Sequence, residues 1–305
     1  MANTNNFAQI WQRELIETFI DQSYIAPFVT TNVHWLDAQT FNFTTMATGG
    51  YKEHSLLGGW NRSAYVQTNH PFTLEHDRDV EFFVDVREVD ETNQTASIQN
   101  ISTQFERTQA TPERDAYFFS KVATTAISKS LAQQVALATW TIDNVLERLT
   151  AIIGKCRRYR NKGLILYVKP EIMDLLALSP KFNRIIEVTT LVQSGNAIQT
   201  RITNIDGVPL VEIIDDDRFY TSFDFTEGYK AATGAYGINV LAATTQSAFF
   251  VPKISSIYFF APGAHTQGDG YLYQNRSFCD AFVFPNGKDG KIDSIFVDYD
   301  TVAVA

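Results

Sequence analysis

The sequence predicts an α+β fold in which helices and antiparallel strands are interleaved along the chain. Apolar residues recur at helical spacing in some segments, most clearly at 141–154, as they do on one face of a helix. Runs of β-branched and aromatic residues bounded by turn residues, as at 163–168 and 271–284, indicate strands. Neither an internal repeat nor a low-complexity linker divides the 305 residues, a length that suffices for one large or two modest domains.

Residues 7–20 predict a short helix, because Ile10, Trp11, Leu15 and Phe19 share one face. From 40 to 77 the chain is rich in Thr, Asn, Gly and aromatic residues and has no helical period. This region predicts a long two-stranded ribbon with an elaborate tip. A ribbon projecting alone is only marginally stable in water, so we expect it to lie on another surface, such as a second subunit.

Val80 to Val89 reads as a strand, and a helical pattern follows from about Ala96. The pattern is interrupted near Thr111-Pro112, where Thr111 fits an N-cap and Pro112 a first helical turn. The residues predicted to share the face of the second piece are Ala116, Phe119, Ala123 and Ile127. One long kinked helix and two abutting helices both fit this pattern.

The second half of the chain alternates between the two kinds of element. A helix at 141–154, capped by Thr141, carries an apolar stripe that includes Ile142, Val145, Leu149 and Ile153. The remaining predicted elements are strands at 163–168, 185–192, 198–205, 208–214, 254–260, 271–284 and 291–297, a helix at 170–178, and turns at Asp206-Gly207 and Asn286-Gly287.

The bulk composition narrows the function classes. A net charge of −9 gives no general attraction to nucleic acid or to anionic membranes. No apolar run is long enough for a membrane span, and the first residues lack the features of a secretory signal. Cys156 and Cys279 are far apart in sequence and are expected to be reduced thiols in a cytoplasmic protein.

Sequence motifs of catalysis are absent: there is no Gly-x-Ser-x-Gly, Ser-x-x-Lys, His-Glu-x-x-His, Walker loop or dinucleotide glycine fingerprint. An enzyme with a dispersed site stays open. Four histidines, His34, His54, His70 and His76, have no ligand-like spacing and are expected to be scattered surface residues. Asp215-Asp216-Asp217 follows a predicted strand and fits an acidic turn better than a calcium loop.

A basic segment follows the 141–154 helix and consists of Lys155, Arg157, Arg158, Arg160 and Lys162. It could contact the phosphates of a nucleic acid. The alternative is that these cations complement the negative end of the preceding helix dipole. No aromatic platform or glycine-rich cradle accompanies the segment, which favours the second interpretation.

Three ordered sets of residues resemble one family, the major capsid proteins of tailed bacteriophages with the Hong Kong 97-like fold, and most closely those of phages of Gram-positive bacteria. The first set comprises Phe72-Thr-Leu-Glu-His-Asp-Arg78, Val84-Asp-Val-Arg-Glu-Val-Asp-Glu-Thr92 and the Phe105 to Tyr117 run with its Pro-Glu-x-Asp-Ala-Tyr end. The second comprises Leu166 to Leu176, Ile205 to Ile214 and Asp217-Arg-Phe219. The third comprises Ile254 to Pro262, Asp280-Ala-Phe-Val-Phe284 and Asn286-Gly-Lys-Asp-Gly290.

The resemblance implies five segments. They are an N-terminal arm at 1–39, an extended loop at 40–78, a peripheral domain with a spine helix at 79–130, an axial domain at 131–250, and C-terminal strands at 251–305 that return to the peripheral domain. It also implies a virion shell subunit, assembled in the host cytoplasm, with neither enzymatic activity nor a cofactor or bound metal. The partners implied are further copies in hexamers and pentamers, a portal, a separate scaffolding protein and packaged DNA without sequence-specific contacts; no membrane is implied.

The extended loop of this family lies over a neighbouring subunit. The residues expected to make such contacts here are Phe41, Phe43, Tyr51, Lys52, Trp60, Arg62 and Tyr65. The basic segment at Lys155 to Lys162 would lie on the inner surface or in the capsomer. Lys52 is a candidate for the Lys–Asn cross-link of some relatives, but no motif marks its partner, and we expect no cross-link. A bacterial encapsulin shell, and more distantly an intracellular hydrolase, are the alternative functions.

Overall fold

The structure, a computed structural model, describes residues 23–30, 37, 39–54, 58, 60–87, 98–181, 187–193, 196–285 and 291–304. Three features predicted from the sequence, the helix at 7–20, His34 and the Asn286-Gly287 turn, lie outside these residues. The strands within them are β1 (Thr40–Thr48), β2 (Tyr65–Thr73), β3 (His76–Asp85), β4 (Ala132–Gln134), β5 (Leu164–Val168), β6 (Glu187–Gln193), β7 (Asn196–Ile205), β8 (Val208–Glu212), β9 (Phe223–Asp224), β10 (Lys230–Ala231), β11 (Tyr236–Thr244), β12 (Ala248–Phe260), β13 (Gly270–Val283) and β14 (Phe296–Ala303). The α-helices are α1 (Ile98–Phe105), α2 (Thr111–Ser128), α3 (Val145–Lys155) and α4 (Pro170–Leu178).

The predicted ribbon is confirmed as the pair β1 and β2. The two strands are antiparallel and keep one register from Thr40 opposite Thr73 to Thr48 opposite Tyr65. The ribbon is a separate two-stranded sheet. Its stability therefore depends on what its base packs against, because a lone hairpin is marginal in water.

A three-stranded sheet carries the ribbon. Its order is β12-β13-β3, all antiparallel, so β13 is the central strand and β12 an outer one. The prediction at 254–260 found only the distal half of β12, which begins at Ala248. Pro252 explains the difference: it lies in the strand at a register shift between Pro252 and Ile254, and a bulge is one of the few places where a strand accepts proline.

One helical run crosses this sheet. Helix α1 continues through a π-helical turn at Glu106–Ala110 into α2, so the kinked single helix is correct and two abutting helices are not. Thr111 has helical backbone angles and makes no side-chain cap, which corrects its assignment as an N-cap. The wider π turn accommodates Pro112, whose missing N–H would otherwise break the ladder.

A seven-stranded sheet forms most of the rest of the body, in the order β4-β14-β11-β5-β8-β7-β6, and β9 and β10 form a short two-stranded sheet beside it. Its central strand β5 is buried throughout, and its side chains alternate between two cores. Ile165 and Tyr167 face α2, whereas Leu164, Leu166 and Val168 face α3 and α4. Helices on both faces explain why this strand reads as a continuous apolar run rather than an alternating one.

Three predicted helical residues lie elsewhere than expected. Helix α3 begins at Val145 rather than 141, and Thr141 does not cap it; instead the Thr141 N–H donates to the Asn144 Oδ1 (2.9 Å). Ile142 therefore falls in the preceding turn and is 38% exposed, while Val145, Leu149, Ile152 and Ile153 are buried as predicted. Ile127, near the end of α2, is 39% exposed.

The end of the chain divides between two sheets. Strands β12 and β13 join β3, whereas β14 pairs with β11 and β4 in the seven-stranded sheet. The strand predicted at 291–297 begins only at Phe296 and continues to Ala303. Ile292 and Ile295 pack on the core from irregular backbone, and such packing gives the same apolar pattern as a strand.

Candidate functional site

The tip of the ribbon exposes large aromatic side chains. Tyr51 and Trp60 are fully or almost fully exposed, at 109% and 94%, and Tyr65 is 70% exposed. Backbone acceptors hold the described part of the tip: Lys52 donates to the Arg62 carbonyl (3.3 Å) and the Asn61 amide to the Glu53 carbonyl (2.7 Å). The tip thus presents apolar surface of the kind that monomeric proteins rarely leave in contact with water.

The base of the ribbon packs within its own chain. Phe41 is 2% exposed, its ring lies 5.2 Å from that of Phe282, and Phe43 stacks on Phe284 at 4.2 Å. This corrects the expectation for Phe41, which has almost no surface left for a neighbour. Phe43 is half-buried and joins the same cluster. The two phenylalanines anchor the ribbon, and the tip residues are the ones that remain available.

A buried carboxylate, Asp280 on β13, sets the direction of the ribbon. It accepts hydrogen bonds from the Tyr117 hydroxyl on α2 (2.8 Å) and from the Glu75 N–H between β2 and β3 (3.0 Å). Burial, with the Asp280 charge beside it, raises the pKa of Tyr117 well above its usual value, so the phenol stays a donor. One side chain thereby joins the helical run, the ribbon and the three-stranded sheet.

Replacing Tyr117 by Phe is expected to lower the free energy of unfolding by about 1–3 kcal/mol, because Asp280 loses a buried donor. Chemical denaturation of the purified variant measures the loss. Tyr65→Phe is the control, since the Tyr65 ring is 70% exposed and surface changes usually stay within about 0.5 kcal/mol. Equal stability of the two variants would contradict a role for the Asp280 junction.

A second buried group ties the N-terminal segment to the body. Asp115 on α2 is fully buried and accepts from Arg218 (3.3 Å), the Ser23 hydroxyl (2.7 Å) and the Tyr24 N–H (3.1 Å). Arg218 also donates to Asp215 at 2.8 Å. Burial raises the pKa of Asp115 to about 6 despite the guanidinium beside it. In the sequence, Asp115 stands within the Pro-Glu-x-Asp-Ala-Tyr run, and no local pattern there indicates its buried contacts.

The acidic run belongs to the same junction. The Asp215 side chain accepts from the Asp217 N–H at 3.3 Å and starts the 3-10 turn Asp216–Arg218. The run is therefore an acidic turn, as the sequence predicted. No group of three or more His, Cys, Asp or Glu side chains suited to a metal occurs in the described part of the chain.

The basic segment lies at the end of α3 and in the turn after it. Two of its cations have acidic partners in the same chain: Arg158 with Asp293 (3.1 Å) and Arg160 with Asp206 (3.6 Å). Lys155, Arg157 and Lys162 are exposed. Lys155 is in the last turn of α3, where the helix dipole favours a cation. The segment is thus less positive than its sequence indicates.

The histidines do not share one environment. His54 is exposed and His70 half-buried, but His76 is buried, at 9% exposure, which corrects its assignment to the surface. Its ring stacks on Tyr117 at 4.0 Å and its Nε2 lies 3.4 Å from a Glu113 carboxylate oxygen. His76 is buried because it lies at the start of β3, where Tyr117 of α2 covers it. The sequence around His76 shows neither helical nor strand alternation, so it did not predict this position.

His76 borders a cavity of about 330 Å³ between the π turn and strands β3 and β13. Three of the charged residues on its wall form ion pairs: Arg78 with Glu113 (2.7 Å), and Arg114 with Glu106 (3.3 Å). Cys279 also lines it, and burial raises the pKa of this thiol to about 11. A buried, protonated thiol is a poor nucleophile. We therefore interpret the residues that line the cavity as structural.

The two cysteines are free and buried. Burial raises the pKa of Cys156 to about 12, so neither thiol is poised to react.

Among the described helices, none combines the length and apolar character needed to cross a membrane.

The outer strand β12 exposes a second apolar surface at its distal end. Ile257, Tyr258 and Phe259 are each more than half exposed, at 56%, 55% and 54%, and Phe83 on β3 is 42% exposed. The sequence predicted a strand here but no special surface. The residues alternate in direction along the strand, so both faces of the sheet are apolar at this end.

Comparison with known proteins gives similarity of fold only. No family model matches the sequence, and no curated protein matches it. Among solved structures, the chain is similar to a subunit of the mature capsid of bacteriophage PhiM1, with a TM-score of 0.64 and 12% identity over 94% of this chain and 89% of that one. The capsid of cyanophage P-SCSP1u matches with a TM-score of 0.60 and 11% identity over 93% and 90%.

A structure from Mycobacterium phage Cain matches in the same way, with a TM-score of 0.58 and 11% identity over 93% and 92% of the two chains. These similarities extend over nearly the whole of each chain. The protein therefore has the mixed α+β fold of phage major capsid proteins, the Hong Kong 97-like fold. The expected resemblance to phages of Gram-positive bacteria in particular stays a prediction.

Proposed function

We propose that the chain is the major capsid protein of a tailed bacteriophage, a shell subunit with a structural rather than a catalytic role. Copies would form hexamers and pentamers of an icosahedral shell around double-stranded DNA. The observation that carries the proposal is the aromatic ribbon tip, exposed and rigidly anchored, on a body with the fold of phage capsid subunits.

The ribbon supplies the contact between neighbours in this proposal. Tyr51, Trp60 and Tyr65 would lose their exposed surface against the next subunit, with Lys52 and Arg62 at the rim of the contact. Each such contact is small, but every subunit both gives and receives one, and repeated contacts in a closed lattice add up. The anchor at Phe41 and Phe43 keeps the tip at a fixed distance from the body, so each tip reaches one defined place.

The body provides the other parts of the proposed shell. The peripheral domain would comprise residues 79–130, with their helical run, together with the three-stranded sheet. The axial domain would comprise residues 131–250, with most of the seven-stranded sheet, and would lie at the centre of each capsomer. Residues 1–39 would act as an arm, beginning where Asp115 holds Ser23 and Tyr24.

The basic segment is the proposed contact with packaged DNA. Lys155, Arg157 and Lys162 are exposed cations, and phosphate contacts of this kind carry no sequence information. Because Arg158 and Arg160 are already paired and the chain is acidic, the contact would be weak. A weak contact suits a shell that must release its genome. A portal and a separate scaffolding protein complete the proposed partners, in a shell built in the host cytoplasm.

Expression of the chain alone tests the proposal. Negative-stain electron microscopy and size-exclusion chromatography are expected to show closed shells, capsomers or sheets. The diameter of closed shells distinguishes a phage head from a small compartment of the encapsulin type. A chain that stays monomeric at every protein concentration, also when it is co-expressed with a scaffolding protein, would contradict the proposal.

Replacing both Tyr51 and Trp60 by Ser is expected to raise the concentration needed for assembly at least tenfold. Burying one aromatic side chain of this size contributes roughly 2–3 kcal/mol, and about 1.4 kcal/mol corresponds to a factor of ten. The unfolding temperature of the monomer should not change, since both side chains are exposed in it. Val302→Ser, at a site 70% exposed on β14, is the control and should assemble normally.

A further inference from the structure

Strand β12 is an outer strand whose two halves differ. Its proximal half is covered by the protein's own N-terminal segment: Val29 forms a parallel bridge with Phe250, and the Thr30 N–H donates to the Phe250 carbonyl (2.9 Å). Lys253 then donates to the Asp37 carbonyl at 3.2 Å. Beyond Lys253, no backbone of the described residues pairs with the outer edge of β12.

Beyond the register shift between Pro252 and Ile254, the uncovered half lacks the charged residues and proline that usually protect an edge strand. Proteins guard such edges with charged side chains, proline or bulges, because free N–H and C=O groups recruit another strand. Residues 254–261 contain no Asp, Glu, Lys, Arg or Pro. They present Ile257, Tyr258 and Phe259 instead, each more than half exposed. In a monomer this combination predicts aggregation; in an assembly it predicts a strand partner.

We infer that this edge pairs with the same edge of a second copy of the chain, strand against strand, in the assembled shell. The inference rests on the proposed function, because it assumes that copies of the chain assemble into a shell. Two copies each with net charge −9 repel one another, and contact is least costly where charge is absent. Residues 254–268 carry no acidic or basic side chain other than His265, so two such edges approach without that cost.

The ribbon tip of a second copy is a poorer occupant for the same edge. Lys52, Glu53 and Arg62 lie within the tip, and each would lose hydration against an uncharged strand without gaining an opposite charge. Two copies of β12, by contrast, offer matching N–H and C=O groups and bring apolar side chains together on both faces of the joined sheet. The contact is isologous, so each copy contributes the same residues.

Disulfide formation tests this pairing directly. Single cysteines are placed at Ile257, Tyr258 and Phe259 in three separate variants, and each assembled sample is oxidised. In an antiparallel pair, opposite Cα atoms lie about 4.5–5.5 Å apart, within disulfide reach. At least one variant is expected to form covalent dimers ten times faster than the control Val302→Cys, which is exposed on a different sheet. The native cysteines are buried and do not interfere.

A second variant, Tyr258→Lys, places a charge on the edge without changing the ribbon. It is expected to stop assembly at an intermediate smaller than the wild-type particle while leaving monomer unfolding unchanged. Shells that assemble normally from Tyr258→Lys, with cross-linking no faster than in Val302→Cys, would overturn the pairing and leave the proposed function intact. Faster cross-linking of Tyr258→Cys to a Trp60→Cys partner would overturn it in favour of the ribbon.

The remaining outcomes separate the two proposals. If the wild-type chain forms neither shells nor capsomers yet the β12 cysteines still join pairs of molecules, the edge contact stands and the capsid function fails. If neither assembly nor cross-linking occurs, both are overturned.

Discussion

Replacing Arg218 by Met is expected to lower the free energy of unfolding at pH 7.5 by about 3–5 kcal/mol, the usual cost of leaving one member of a buried ion pair without its partner. Arg218 is 3% exposed and Asp115 fully buried. The Met side chain fills much of the same space, so the loss is mainly electrostatic. Urea denaturation followed by fluorescence measures it, at matched protein concentration below the assembly threshold.

The cost of Arg218→Met should depend on pH. Burial raises the pKa of Asp115 to about 6, above the value near 4 of an unfolded chain. The folded state therefore holds this proton to higher pH, and the contribution of Asp115 to stability declines as pH rises from about 4 through 6. Without Arg218 the pKa of Asp115 rises further, so the decline continues to higher pH and its total is larger. The difference between variant and wild type is thus expected to be small near pH 4 and largest above pH 6.

Two further variants isolate the charge. Arg276→Met removes a surface pair with Asp77, whose members are 54% and 41% exposed, and such pairs are worth about 0–1 kcal/mol. Asp115→Asn combined with Arg218→Met removes both buried charges and should recover most of the lost stability. A pH-independent loss, or a double variant no better than Arg218→Met alone, would mean that packing around Tyr24 dominates the junction.

Elements of secondary structure were predictable where local pattern and packing agree. In the ribbon, α4, β13 and the kinked helical run, the spacing of apolar residues and the positions of turn residues match the elements that the structure forms. Errors occur where burial rather than pairing sets the pattern, as at Ile292 and Ile295, or where a special geometry admits an unfavourable residue, as at Pro112 and Pro252. Long-range pairing, such as β14 between β11 and β4, has no local signal at all.

The candidate site was predictable only in part for a related reason. Aromatic residues in an irregular, turn-rich segment indicated a contact surface. The same signal applies to Phe41, which is buried within its own chain, and to Trp60, which is exposed. Composition cannot tell these apart, because the difference depends on Phe282 and Phe284, which follow Phe41 by more than two hundred residues. The distal edge of β12 was missed because exposure of a strand depends on its place in the sheet order.

Buried carboxylates hold the parts of the body at fixed angles. Asp115 joins the N-terminal segment to α2, Asp280 joins the ribbon to α2, and Asp298 accepts from Asn239 (2.8 Å) and Gln133 within the large sheet. Burial raises the pKa of Asp298 to about 6 as well. Buried polar networks can select one arrangement over its alternatives even when they add little stability. In the proposed shell, a subunit would need such fixed angles to meet its neighbours in the same way each time.

Shortening the ribbon is expected to abolish assembly while leaving the subunit folded. The Gly49 N–H donates to the Ala64 carbonyl at 3.2 Å, so this pair can close a hairpin. Replacing residues 50–63 by Asn-Gly, which favours the two-residue turn that matches strand twist, removes Tyr51, Lys52, Trp60 and Arg62. The strands and their anchor at Phe41 and Phe43 are kept. A shorter loop also costs less entropy to close, so the unfolding temperature should be unchanged or slightly higher.

The readout is particle formation by electron microscopy and sedimentation, beside thermal unfolding of the monomer. The control keeps the ribbon at full length and replaces Val66, which is 60% exposed on the ribbon stem, by Thr. That variant should assemble, because β-branched shape is retained and the tip is intact. Shells of wild-type diameter from the shortened chain would mean that contacts of the body, including the distal edge of β12, hold the lattice without the ribbon. Loss of folding would instead place the tip in the core of the subunit, contrary to its exposure.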